Sequence, residues 1–73
     1  MSDIYLIVVM LTLPGPSAPS TELAREWTTA SSASVCQARA DVLAEQERAK
    51  QAAVIDRMKA RVSGLCVKQG ETT

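Results

Sequence analysis

Residues 4–13 read IYLIVVMLTL, and Pro14, Gly15 and Pro16 follow at once. An uncharged run ahead of a Pro/Gly break suits a signal sequence, a membrane span or a covered strand. A signal sequence carries a basic stretch before its apolar run and a small-residue cleavage site after it. Pro16-Ser17-Ala18 would serve as the site, but Met1, Ser2 and Asp3 supply no Lys or Arg. A membrane helix needs about 20 apolar residues, and Pro14 stops this run far short. The strand reading is preferred, because Ile4, Tyr5, Ile7, Val8 and Val9 are the β-branched and aromatic types that fit a pleated surface. With a period of two, Ile4, Leu6, Val8 and Met10 share one face, and Tyr5, Ile7, Val9 and Leu11 the other. Both faces are apolar, so a strand over 3–13 expects cover on both.

Working outward, PGPSAPST at 14–21 is a turn, since three Pro and a Gly leave the chain no regular alternative. ELAREWTTA at 22–30 alternates as a strand, with Leu23, Arg25 and Trp27 opposite Ala24, Glu26 and Thr28. As a helix it would pair Leu23 with Trp27 behind a Ser20 or Thr21 cap. A strand hairpinned to the first is the preferred reading. SSAS at 31–34 offers several helix caps. From Val35 the pattern turns helical: Val35, Val42 and Ala49 recur at seven-residue intervals, with Ala38 and Ala53 on the same side and Leu43 flanking. Asp41, Arg48 and Gln51 then face away, and Glu45/Arg48 and Glu47/Lys50 are i, i+3 pairs. The helix is placed at 32–55, although no breaker precedes Gly64 and its end is open between about 52 and 62. Residues 58–68 read as a strand with Met58, Ala60, Val62, Gly64 and Cys66 on one face, followed by a disordered tail at 69–73. The fold class is therefore α+β: a small antiparallel sheet in the order β-β-α-β along the chain, with one main helix packed on one face.

The two cysteines, Cys36 and Cys66, bear on the helix end. If they are bonded, their Cα atoms lie within about 7 Å. A helix reaching residue 62 would travel about 39 Å from Cys36, and four extended residues would return only about 13 Å. A Cys36–Cys66 disulfide thus requires the helix to stop by about residue 56–57. Two unpaired cysteines acting as small buried hydrophobes are the alternative, and the sequence leaves the two open. A chain of 73 residues makes one domain with a thin core, and such chains are commonly held by a disulfide or by a partner subunit.

Composition excludes much chemistry. The sequence has no His, so a Ser-His or Cys-His nucleophile pair cannot form. Two cysteines thirty positions apart are not zinc-ligand spacing, and no glycine-rich phosphate cradle is present. No metal, no cofactor and no enzymatic activity are expected. Eight basic residues balance eight acidic ones, which leaves no overall field for nucleic acid or an anionic membrane. Arg48, Lys50, Arg57, Lys59 and Arg61 do cluster, but Glu45, Glu47 and Asp56 interleave with them, as on a solvated face.

What remains is the two-faced first strand. One helix covers one face of a three-stranded sheet, and nothing in the sequence covers the other. Tyr5, Ile7, Val9 and Leu11, joined by Trp27, are expected to form the uncovered patch, with Arg25 and Tyr5 as rim or anchor residues of types enriched in interfaces. The implied partner is a second copy of the chain or a larger protein, so a homo-oligomer is among the expectations.

The short apolar first strand, the Pro/Gly turn, REWTTASSASVCQARA at 25–40 with Cys36, and GLCVKQ at 64–69 with Cys66 together resemble small bacteriophage and prophage accessory proteins. The resemblance spans most of the chain and brings no catalytic residues. It implies a binding protein, such as an inhibitor or adaptor acting on a host defence complex. A structural subunit of a virion, as a decoration or minor capsid protein, is the alternative, and a secreted disulfide-stabilised domain is a third. A virion or host-cytoplasm location is favoured over secretion.

Overall fold

The computed structural model describes residues 2–71. Strand β1 (Asp3–Thr12) and strand β2 (Ser20–Ala30) form a hairpin. Helices α1 (Ala33–Lys50) and α2 (Ala52–Met58) follow, and strand β3 (Arg61–Glu71) returns to the sheet. The sheet order is β2-β1-β3 with both pairings antiparallel, so the most apolar strand is central and the two edge strands run parallel to each other. This is the α+β arrangement expected, with α1 laid on one face of the sheet. Strand β3 runs to residue 71, so 69–71 belong to the sheet rather than to a tail; 72 and 73 lie outside the described residues.

Gly15 carries the connection after β1, with φ of 122°, a conformation open to glycine at little cost. Ala18 N–H donates to the Gly15 carbonyl, and Leu13 N–H to that of Pro19. One bulge falls between Val9 and Met10, where Leu23 is the extra residue of β2. It flips the alternation, and so Glu22 comes to the same face as Arg25, where the two pair at 2.8 Å. A second bulge in β3 passes over Gln69, so that Lys68 pairs Tyr5 and Gly70 pairs Ile4.

Ser32 caps α1: its hydroxyl accepts from Val35 N–H at 3.3 Å. The helix does not bury the face expected from its valines. Cys36, Ala40 and Ala44 lie inward, with Leu43 partly covered, while Val35, Val42, Ala38 and Ala49 are exposed. The smaller side chains win that position because they let the helix axis approach the sheet. The approach is closest at Gly64 of β3, where a Cβ would stand 2.5 Å from the Ala40 carbonyl oxygen. The core is accordingly thin: Tyr5, Ile7, Val9 and Leu11 of β1, Val62 of β3, Cys36, and four alanines.

The helix is longer than 32–55 and is interrupted. Gln51, at φ −103° and ψ 17°, separates α1 from α2, and Lys59 closes α2 in a left-handed conformation with φ 57°. Strand β3 therefore starts at Arg61 rather than 58. Cys36 and Cys66 are bonded, with their Cα atoms 6.2 Å apart. The expected limit of 56–57 assumed one straight helix; with the interruption at Gln51 the helical stretch runs to Met58, one to two residues past it, and Cys66 still returns to Cys36.

Candidate interaction surface

The helix settles on the Tyr5/Ile7/Val9/Leu11 face, and these four residues are buried beneath it, Ile7 and Val9 completely. The expected patch is corrected accordingly: the uncovered face of β1 is Ile4, Leu6, Val8 and Met10. The register explains the exchange. Ile7 pairs Cys66, Val9 pairs Gly64 and Leu11 pairs Val62. The disulfide to Cys36 can form only if the helix lies on the Cys66 side of the sheet, and that side carries the odd-numbered residues of β1.

Two of the expected surface residues, Trp27 and Arg25, do lie on the open face. Leu6 is flanked by Trp27 on β2 and Val67 on β3, and Val8 by Arg25 and Leu65. Trp27 is 60% exposed, Leu65 55% and Val67 48%. Leu65 and Val67 were not singled out from the sequence, yet they follow from the alternation that sends Gly64 and Cys66 inward. Ile4, Trp27, Thr28 and Thr29 line a shallow groove of about 450 Å³ at one end of this surface. The other end is polar: Met10 lies between Glu22 and Ser63, and Thr12 between Ser20 and Arg61. The open face thus grades from an apolar centre around Leu6 and Val8 into a polar end that carries Glu22 and Arg61.

The basic group divides into structural and solvated members. Arg48 pairs with Glu45 and donates to the Val62 carbonyl at 2.9 Å, tying α1 to β3. Lys50 reaches Glu47 at 3.4 Å, whereas Arg57, Lys59 and Arg61 are exposed. On the opposite flank Arg39 holds Glu26 of β2 through two hydrogen bonds, at 2.9 and 3.1 Å. These bonds, together with the guanidinium charge, outweigh partial desolvation and hold the Glu26 carboxyl below its ordinary value of 4.5. A carboxyl that titrates lower in the folded chain contributes stability fully present above the unfolded pKa and lost as pH falls through the folded one. Acidification from pH 5 towards 3 is therefore expected to lower the denaturation midpoint of the native chain more than that of Glu26→Gln. The pair is half-exposed, so the difference is a modest part of the acid loss. Chemical unfolding followed across that pH range checks it.

Both cysteines are consumed by the disulfide. Among the described residues, no group of three or more Cys, Asp or Glu is placed to hold a metal ion, and no helix is long and apolar enough to cross a membrane.

The fold and surface define a class: a three-stranded antiparallel sheet with a disulfide-tethered helix on one face and the other face open. Comparison with family models, with curated proteins and with solved structures found no match.

Proposed function

We propose that this chain is a non-catalytic protein-binding module that docks through the open face of its sheet. One observation carries the reading: Ile4, Leu6, Val8 and Met10 of the central strand, with Trp27, Leu65 and Val67 beside them, lie together on the side that none of the described residues covers. Burying such side chains against a partner is worth about 25 cal/mol per Å² of apolar surface, which gives the face a reason to be occupied. The edges of β2 and β3 extend the same surface with backbone groups able to add a strand. The resemblance to phage accessory proteins supports an inhibitor or adaptor as the setting.

A second reading, a structural subunit of a virion or other assembly, has its own support. Val35, Ala38, Val42 and Ala49 form an exposed stripe on α1, on the side of the molecule away from the open sheet face. Apolar surface on two opposite sides suits a subunit with neighbours on both.

Site-specific photo-crosslinking in native cells tests the proposal. A photoreactive residue replacing Leu65 is expected to give a defined protein adduct, and one replacing Val42 is not. Adducts from position 42 alone would move the contact to the helix and favour the assembly reading. Adducts from neither position would overturn the docking role.

A further inference from the structure

Resting on the docking role of the open face, we infer that its occupant is a second copy of this chain, seated face to face about a two-fold axis that runs along the strands. Size is the first argument. Three strands about 4.8 Å apart and ten residues long present about 33 Å by 15–20 Å once edge side chains are counted. Such a footprint, with the relief of its side chains added, approaches the roughly 800 Å² per partner of a standard stable interface.

Complementarity is the second argument, and it fixes the axis. A two-fold axis between the sheets and parallel to the strands sets β1 over β1 and β2 over the partner's β3. Each cross-strand row then meets its own mirror order. The row Trp27–Leu6–Val67 lies over the partner's Val67–Leu6–Trp27, so the largest side chain faces a small one twice over. At the polar end the acid of the face, Glu22 on β2, comes beside the partner's Arg61 on β3. An axis running across the strands through the Val8 row would instead set Arg25 over the partner's Arg25 and the Trp27 row over the Glu22–Met10–Ser63 row, opposing like charges at the centre of the contact. The strand-parallel axis places Arg25, already paired with Glu22, over the partner's Leu65. The strand-parallel pair is a six-stranded sandwich, its sheets about 10 Å apart and crossed by roughly 30°, with a helix on each outer side.

Sedimentation equilibrium of the intact oxidised chain, with Trp27 emission recorded over the same dilution series, tests the inference. At about 100 µM, well above a micromolar dissociation constant, the expected mass is twice the 7.8 kDa of the chain. The emission is expected to be blue-shifted and to move red on dilution. Val67→Lys, with its circular dichroism unchanged, is expected to weaken the pair roughly a hundredfold or more, because the charge would be buried unpaired. Arg61→Glu is expected to weaken it roughly two- to fivefold, as loss of a rim ion pair does, and Val42→Lys not at all. A monomer at that concentration with red-shifted Trp27 emission overturns self-pairing; a crosslink from position 65 to a different protein then keeps the docking role alone. A dimer broken by Val42→Lys and indifferent to Val67→Lys overturns both.

Discussion

Reduction of Cys36–Cys66 is expected to lower the unfolding free energy by about 3.7 kcal/mol, the value that loop-closure entropy assigns to a bridge of this span. The two residues are separated by 30 positions, a loop that contains α1 from Cys36 onward, α2 and the first half of β3. Without the bridge, the unfolded chain regains that freedom while the folded chain keeps the same thin core, four of whose ten buried residues are alanines. Domains of this kind have roughly 5–15 kcal/mol in total, and each kcal/mol moves Tm by about 4–8 °C in a domain of 60–100 residues. A drop of roughly 15–30 °C is therefore expected on adding reductant. The double variant Cys36→Ala/Cys66→Ala should unfold near the reduced protein and ignore reductant. Alanine is the right replacement, because Cys36 is fully buried and a serine hydroxyl there would add its own desolvation cost. If reductant frees both thiols but leaves Tm in place, the packing of α1 alone holds the fold and the entropic account is wrong.

Gly64→Ala is expected to destabilise the chain by about 1–3 kcal/mol through overpacking. Two effects compete at this position. A glycine within a strand costs roughly 0.5–1 kcal/mol relative to alanine, so on propensity alone the substitution should help. The added Cβ, however, would lie 2.5 Å from the Ala40 carbonyl oxygen and 2.9 Å from its carbonyl carbon. Both are backbone atoms of a helix fixed to the sheet by the neighbouring disulfide, by Gln37 donating to the Gly64 carbonyl at 3.1 Å, and by Arg48 donating to that of Val62. No side-chain rotation relieves such a contact, so the helix must lift and the overpacking wins. Ala40→Gly removes only the Cβ contact at 3.1 Å and leaves the backbone clash; adding it is expected to worsen the variant by about the 0.8–1.0 kcal/mol of a mid-helix glycine. Urea unfolding of the single and double variants reads both effects. A Gly64→Ala chain as stable as the native one would mean that α1 rides higher on the sheet than described.

The apolar run of residues 4–13 was enough to mark a strand, and the segment REWTTA its hairpin partner, because both carry β-prone types around an unmistakable Pro/Gly turn. The Ser-rich stretch and the regular pattern after it marked the main helix. The helix end was legible only conditionally: a Cys36–Cys66 bond would place it within one or two residues, and the structure supplied that bond. The strands, the turn and the helix start are local constraints, and a sequence states them directly.

Which face of each element turns inward is a different kind of fact. Both faces of β1 are apolar, so its period-two pattern is degenerate, and a one-residue slip against β3 would exchange them. The register Ile7–Cys66 and Val9–Gly64 resolves that degeneracy only once three strands and a helix are packed together. The helix shows the same problem: valines at 35 and 42 announce a buried stripe, yet Cys36, Ala40 and Ala44 take it, because close approach at Gly64 rewards small residues over hydrophobic ones. Lys59 adopts its left-handed turn with no local signal at all, since the chain must reverse there for Ala60 and Val62 to enter the core. Elements and their order were thus set by the sequence. The tertiary structure alone decided which side chains form the core and which are left to meet a partner, because that choice depends on pairing between residues dozens of positions apart.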